Sequence, residues 1–313
     1  MNWQARASSV ERMSLATRFP SVRLRLRASA VVVVATLGFV GVYLIAVRTT
    51  SGQIVENRAL ETSLPEAEWL GLLRLVSVQN LAIAGALLIA IALLTRRVDA
   101  ALRVVAIMGL SNALTQVLKY HVLSRPDFLD TWSSNTFPSG HTVAYASVLV
   151  SLIIVSPARI RPLIALAVAV PMGMVSFQLL EYGWHRLSDV VGGLLLVTLL
   201  AALTFAVVPE KRPGRRAPVR RVILALLGAG ALSLTIGAGV LGVLVLVGDG
   251  LTDAGVLLAA TELGTVATVC AMVLLVLLLQ DGRRAPVAAP RLPTVEATRT
   301  EPELVPPRYA APQ

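Results

Sequence analysis

Residues 119–141 read KYHVLSRPDFLDTWSSNTFPSGH, and apolar runs stand on both sides of them. This is the longest polar, Pro- and Gly-bearing interruption in the middle of the chain. It holds two of the three histidines, His121 and His141, with Lys119 and Arg125 close by. Working outward, the apolar runs recur along the whole chain. The protein is 56% hydrophobic and only 15% charged, where a soluble domain carries about 25% charged residues. That deficit defines an all-α, polytopic transmembrane bundle. The formal charge of +10 does not point to nucleic acid, because the arginines sit in short clusters between apolar runs, where topology signals belong. Cys270 is alone, so no disulfide or Cys-based metal site forms within one chain.

A bilayer takes about 20 apolar residues per helix, and the pattern gives eight spans. A basic cytoplasmic segment, 1–27, precedes the first, at about Ala28 to Val47. A cleaved signal peptide does not fit, since no small-residue cleavage site follows a short apolar run. An acidic loop with Glu56, Glu61, Glu66 and Glu68 leads to span two, from Trp69 to about Leu94. Span three, Ala101 to Leu118, delivers Lys119. Span four covers His141 to Val155, span five ends near Tyr182, and span six runs from His185 to about Val208. These make a six-span core over 28–208. A basic loop, 209–221, separates it from two additional spans within 222–280, and the Pro-, Ala- and Arg-rich tail, 281–313, is expected to be disordered. The basic clusters all fall on one side and the acids on the other, so both termini are assigned to the cytoplasm. The 119–141 stretch and the turn at His185 then share the extracytoplasmic side, where they can meet.

Ser139 is a candidate helix N-cap, and the N–H groups after it favour an anion. Gly140 lets a ligand approach the backbone. Lys119 and Arg125 add an ammonium and a guanidinium, which together suit phosphate. His185 and Asp189 are four apart at the start of a helix and share one face. A carboxylate on Nδ1 leaves Nε2 as a free lone pair suited to nucleophilic attack. A metal site of His141, His185 and Asp189 is opposed by the neighbouring lysine and arginine.

These residues resemble the type-2 phosphatidic acid phosphatase family. Its pattern is Lys, six residues, Arg-Pro; then Pro-Ser-Gly-His; then Ser-Arg, five residues, His, three residues, Asp. Pro138 to His141 match in full, and His185 and Asp189 match the third part. Two departures stand out. Only five residues separate Lys119 from Arg125, and Leu179, preceded by Gln178, stands where the family has arginine. Arg186 and Arg74 are the candidates to replace that cation. The resemblance implies that Lys119, Arg125, Ser139 and Gly140 hold phosphate, that His185 is the nucleophile oriented by Asp189, and that His141 is the general acid. It implies no cofactor and no metal. The expected substrate is a lipid phosphate in the plasma membrane, of polyprenyl diphosphate, phosphatidic acid or phosphatidylglycerol phosphate type. The lost arginine keeps open a catalytically impaired lipid-phosphate binder or transporter-like protein, and the shared anion site a vanadate-dependent haloperoxidase-like activity. The glycines of span seven would serve equally a homo-oligomer contact or packing against the core.

Overall fold

The computed structural model describes residues 22–63, 73–129, 134–208, 218–247 and 254–280. The basic segment up to 21, Trp69, Asp130, Trp132, residues 209–217, the turn with Asp249 and Asp253, and the tail expected to be disordered lie outside them. The described residues form nine helices and no strand. We label them α1 (Val22–Val47), α2 (Thr50–Leu60), α3 (Val78–Leu94), α4 (Val98–Val122), α5 (Gly140–Val155), α6 (Arg161–Glu181), α7 (Leu187–Val207), α8 (Arg220–Val247) and α9 (Ala254–Leu279). The architecture is a polytopic helical bundle.

Six of the eight expected spans, α1, α4, α6, α7, α8 and α9, are long and apolar enough to cross a membrane. The other two, α3 with 17 residues and α5 with 16, are apolar but shorter. At about 1.5 Å per residue they reach roughly 25 Å, against a hydrocarbon core of about 30 Å. Local chemistry sets both starts. Ser77 caps α3 by accepting from the Asn80 N–H, which moves the expected start at Trp69 to Val78. Arg74 therefore lies on an exposed turn, Leu73–Leu75, and not inside a span. Ser139 caps α5 by accepting from the Thr142 N–H.

The far end of α5 is fixed by arginines read in the sequence only as topology signals. Arg97 donates to the Ile154 and Val155 carbonyls at 2.9 and 2.8 Å, and Arg161 donates to the Ser156 carbonyl. Cations at a helix C-terminus satisfy its orphan carbonyls and oppose its dipole. Arg103 does the same for α7, donating to the Val208 carbonyl while paired with Asp99 at 3.0 Å.

Helix α7 is the centre of the bundle, buried along most of its length, with α1, α5 and α9 packed on it. Helix α9 also packs on α6 and α2, whereas α8 leans mainly on α9. The additional pair therefore packs against the core through α9. Gly192 and Gly193 explain how α5 approaches α7 so closely. A Cβ on Gly192 would lie 2.4 Å from the Phe137 ring, and one on Gly193 would lie 3.0 Å from Thr142. Phe137 is fully buried between Gly192, Phe39 and Tyr43.

Gly192→Ala is thus expected to destabilise the protein by about 1–3 kcal/mol, the range for an overpacked core. Thermal unfolding in detergent measures the loss, and Phe137→Leu in the same chain should recover part of it. Additive losses in the double variant would remove the clash as the cause.

Candidate active site

Four helix ends build the site: the last turn of α4, the first turns of α5 and α7, and the α6–α7 turn. Lys119 lies on the last turn of α4, because that helix continues to Val122, past the expected end at Leu118. Asn135 ties this turn to the Pro-Ser-Gly-His segment. Its amide donates to the Lys119 and Leu123 carbonyls, and its carbonyl accepts from the Phe137 N–H. Ser139 is fully buried, and its backbone N–H donates to the Asp189 carbonyl at 2.9 Å. The first N–H groups of α5, on Gly140 and His141, have no helical acceptor by position. Gly140 has room beside it: a Cβ there would meet only the Gln116 side chain, at 3.7 Å.

Gly183, at φ +66°, turns the chain from α6 into α7 with Ser63 packed against it, and it brings His185 back over the end of α6. The His185 N–H donates to the Leu179 carbonyl. His141 and His185, 44 positions apart in the chain, face each other with ring centroids 5.9 Å apart. Trp184 lies 5.6 Å from His141 on the other side. Lys119 is close enough to interact electrostatically with His141 and Asp189.

Asp189 is completely buried and saturated with donors. It accepts from Thr136 Oγ1 at 2.7 Å, from the Arg186 N–H at 3.0 Å and from Arg125 at 3.2 Å, and its Oδ2 lies 3.4 Å from His185 Nδ1. A buried carboxylate held this way stays ionised and fixes the imidazole. Asp189 is at the third position of α7, so its bond to the Arg186 N–H also caps the helix.

Arg125 was expected to face an anion together with Lys119. Its guanidinium is only 1% exposed and is drawn onto two carboxylates. Nη2 donates to Asp189 and, at 3.4 Å, to Ser188, while Nη1 lies 3.6 Å from Glu56 Oε2. Nε and Nη1 are buried with no hydrogen-bond partner. Arg186 donates from Nε to Asn57 at 2.9 Å, so it too is turned toward α2. Burial and the nearby Arg125 lower its pKa, although a guanidinium remains charged. Leu179 is fully buried, so nothing at that position restores the missing cation. Arg74 has no hydrogen bond to any of these residues among those described.

The sequence reading missed Glu56, Asn57, Thr136, Asn135 and Ser188. Glu56 was counted only as one acid among four in a polar loop. It sits on α2, is 6% exposed, and accepts from the Ser188 N–H at 2.7 Å and the Ser188 hydroxyl at 3.0 Å. Burial, and then the charge of Asp189, raise its pKa, while Ser188 and Arg125 oppose that rise. The only signal in the sequence was local: Thr49 caps α2 and its hydroxyl bonds back to Ile45, making a short helix where a loop was expected. Asn112 on α4 makes an interhelical bond to Ser147 on α5. Glu262 on α9 lies near Glu181 at the end of α6.

The polytopic bundle thus gathers two facing histidines, a buried aspartate and two basic residues at one end. The family model described as the PAP2 superfamily matches residues 100–213, the segment from α4 to α7. The match covers every motif residue from Lys119 to Asp189 and leaves α1, α2, α3, α8 and α9 outside. No curated protein and no solved structure matches the chain.

Proposed function

We propose that the protein is an integral-membrane phosphatase that hydrolyses a lipid phosphate or diphosphate monoester on the extracytoplasmic side through a phosphohistidine. The observation that carries this reading is the pairing of His141 and His185 at 5.9 Å with Asp189 directly behind His185. A phosphoryl group between the two rings meets Nε2 of His185 on one face. Nε2 attacks phosphorus, the P–N bond forms as the P–O ester bond breaks, and the leaving alkoxide takes a proton from His141. Asp189 stabilises the cationic imidazole. Water, deprotonated by His141, then attacks phosphorus; the P–N bond electrons return to His185 and phosphate leaves. Lys119, the Gly140 N–H, the Ser139 hydroxyl and Arg125 stabilise the charge on the phosphoryl oxygens.

A lipid substrate fits the surroundings of His141. An apolar crevice of about 320 Å³ between α3 and α5 starts one turn along from it, at Ala144 and Tyr145, and continues past Val148 and Leu149 opposite Leu81 and Ala84. These α5 positions follow His141 at helical spacing, so a chain lying there would hold its headgroup at the histidine. The assignment of side rests on the arginines Arg97, Arg103 and Arg161, which lie at the opposite helix ends from the site.

One observation favours a second reading. Leu179 replaces a cation and Arg125 is neutralised by two acids, as in a protein that binds lipid phosphate without turning it over. The test is phosphate release from a panel of phosphatidic acid, phosphatidylglycerol phosphate and polyprenyl diphosphate by purified protein in chelator. Release is expected for at least one of them. No turnover, with the lipid phosphate still bound, decides for the second reading. A vanadate- and halide-dependent peroxide reaction would favour haloperoxidase-like chemistry.

A further inference from the structure

Helix α2 lies outside the matched segment, yet it grips the phosphate-binding half of the site at two points. Gln53 donates to the Pro126 carbonyl at 2.7 Å and to the Val47 carbonyl at 2.9 Å, which fixes the backbone next to Arg125. One turn on, Glu56 takes the side chain, with Oε2 3.6 Å from Nη1 of Arg125. The Glu56 carboxylate cannot swing aside, because both its oxygens are held by Ser188 on the first turn of α7. Gly52 permits this arrangement: a Cβ there would lie 2.4 Å from the Ile45 carbonyl oxygen, so α2 folds back tightly on the end of α1.

The charges make the consequence definite. Arg125 has one positive charge and two carboxylates in ion-pair reach, each nearly or fully buried. Asp189 already takes Nη2. Glu56 faces Nη1, one of the two guanidinium nitrogens with no hydrogen bond. Those are the donors a phosphoryl oxygen would use. A carboxylate beside them repels the incoming anion and competes for the cation, and in a buried setting that repulsion is little screened.

We propose that Glu56 is a positioning residue that holds Arg125 against α7 and weakens its grip on phosphate, an assignment that rests on the phosphatase reading. Tight binding of substrate or product does not speed the chemical step, whereas slow release of phosphate would limit turnover. Glu56 keeps Arg125 in place while reducing ground-state and product affinity. A residue that merely braced α7 would act in the opposite direction, because its loss would loosen the site and weaken binding.

The experiment is equilibrium dialysis of radiolabelled inorganic phosphate against full-length protein in detergent, comparing wild type, Glu56→Gln and Glu56→Asp. Glutamine removes the charge and can keep both Ser188 contacts, with its carbonyl accepting from the N–H and its amide donating to the hydroxyl, which turns to accept. It is expected to bind phosphate about tenfold more tightly, the size of one like-charge repulsion at this range in a partly polar interior. Aspartate, one methylene shorter, should fall between the two. In turnover assays KM on the lipid phosphate should fall in the same order. Unchanged or weaker phosphate binding in Glu56→Gln overturns the proposal, and so does the absence of phosphate binding by every form. If the glutamine variant does not fold, the aspartate variant decides alone: tighter binding supports the assignment, and equal or weaker binding overturns it. Dialysis needs no turnover, so a wild type that hydrolyses nothing would sink the phosphatase reading without deciding this one.

Discussion

His185→Ala is expected to abolish phosphate release, lowering kcat by about 10⁴-fold or more, the scale seen when a nucleophile is deleted from a covalent mechanism. The effect should be the same for every substrate, because every substrate passes through the same phosphohistidine. His141→Ala is expected to behave differently. A general acid contributes about 10²–10⁴-fold, but only where the leaving group needs a proton. In the first step, formation of the phosphohistidine, alkyl phosphates such as phosphatidic acid should show the full loss, and p-nitrophenyl phosphate, whose phenolate leaves unaided, should still give a burst of p-nitrophenol close to that of the wild type. The two rings face each other at 5.9 Å, so their roles cannot be told apart by position alone. The hydrogen-bonding partner tells them apart: His185 has Asp189 on Nδ1, whereas His141 has Trp184 beside its ring. Alkaline quench of the wild type, under which a P–N bond survives, should trap phosphate on protein, and His185→Ala should trap none. Equal losses on both substrates in that first step would remove the proton-donor role from His141.

Much of this site was legible because its chemistry is local in sequence. Ser139, Gly140 and His141 are consecutive, and His185 and Asp189 are one helical turn apart, so spacing alone puts each group on one face. The meeting of the two groups followed from counting spans, since an even number of crossings between them returns the chain to the same side. The buried half of the site was not legible. Glu56 stands 69 positions from Arg125 and 132 from Ser188, and only the tight turn at Gly52 brings it inward. In the sequence it was one of four acids in a loop, indistinguishable from Glu61, which pairs with Arg58 at the surface. The start of α3 was misjudged for a similar reason: hydropathy does not register a serine cap, and the helix begins at Val78, where Ser77 stops the pattern from extending. Arg74 moved out of its span with that boundary. The cap expected at Ser139 is present, and α5 begins within one residue of its expected start at His141. The arginines Arg97, Arg103 and Arg161 were read as topology signals, and each also closes the carbonyl end of a buried helix.

Asp189→Asn should lower kcat by about 10⁴-fold, as expected when the group that orients a catalytic imidazole loses its charge, and it should also test how the buried charges share Arg125. Breaking one side of a buried ion pair typically costs about 3–5 kcal/mol, because the partner is left uncompensated. Here the partner is not left alone. Glu56 remains 3.6 Å from Arg125, so the loss in stability should fall at the low end of that range or below it. Glu56 itself is raised in pKa by burial and by the charge of Asp189; with Asp189 neutral that second cause disappears, and Glu56 holds its charge more readily. Combining Asp189→Asn with Glu56→Gln removes both carboxylates and strands a guanidinium that is 1% exposed. The double variant should therefore lose more stability than the sum of the two single variants, by an amount on the order of 1–3 kcal/mol. Thermal unfolding of all four proteins in one detergent measures this coupling. Strict additivity would mean that Arg125 finds its counter-charge elsewhere, and that Glu56 serves α7 through Ser188 alone.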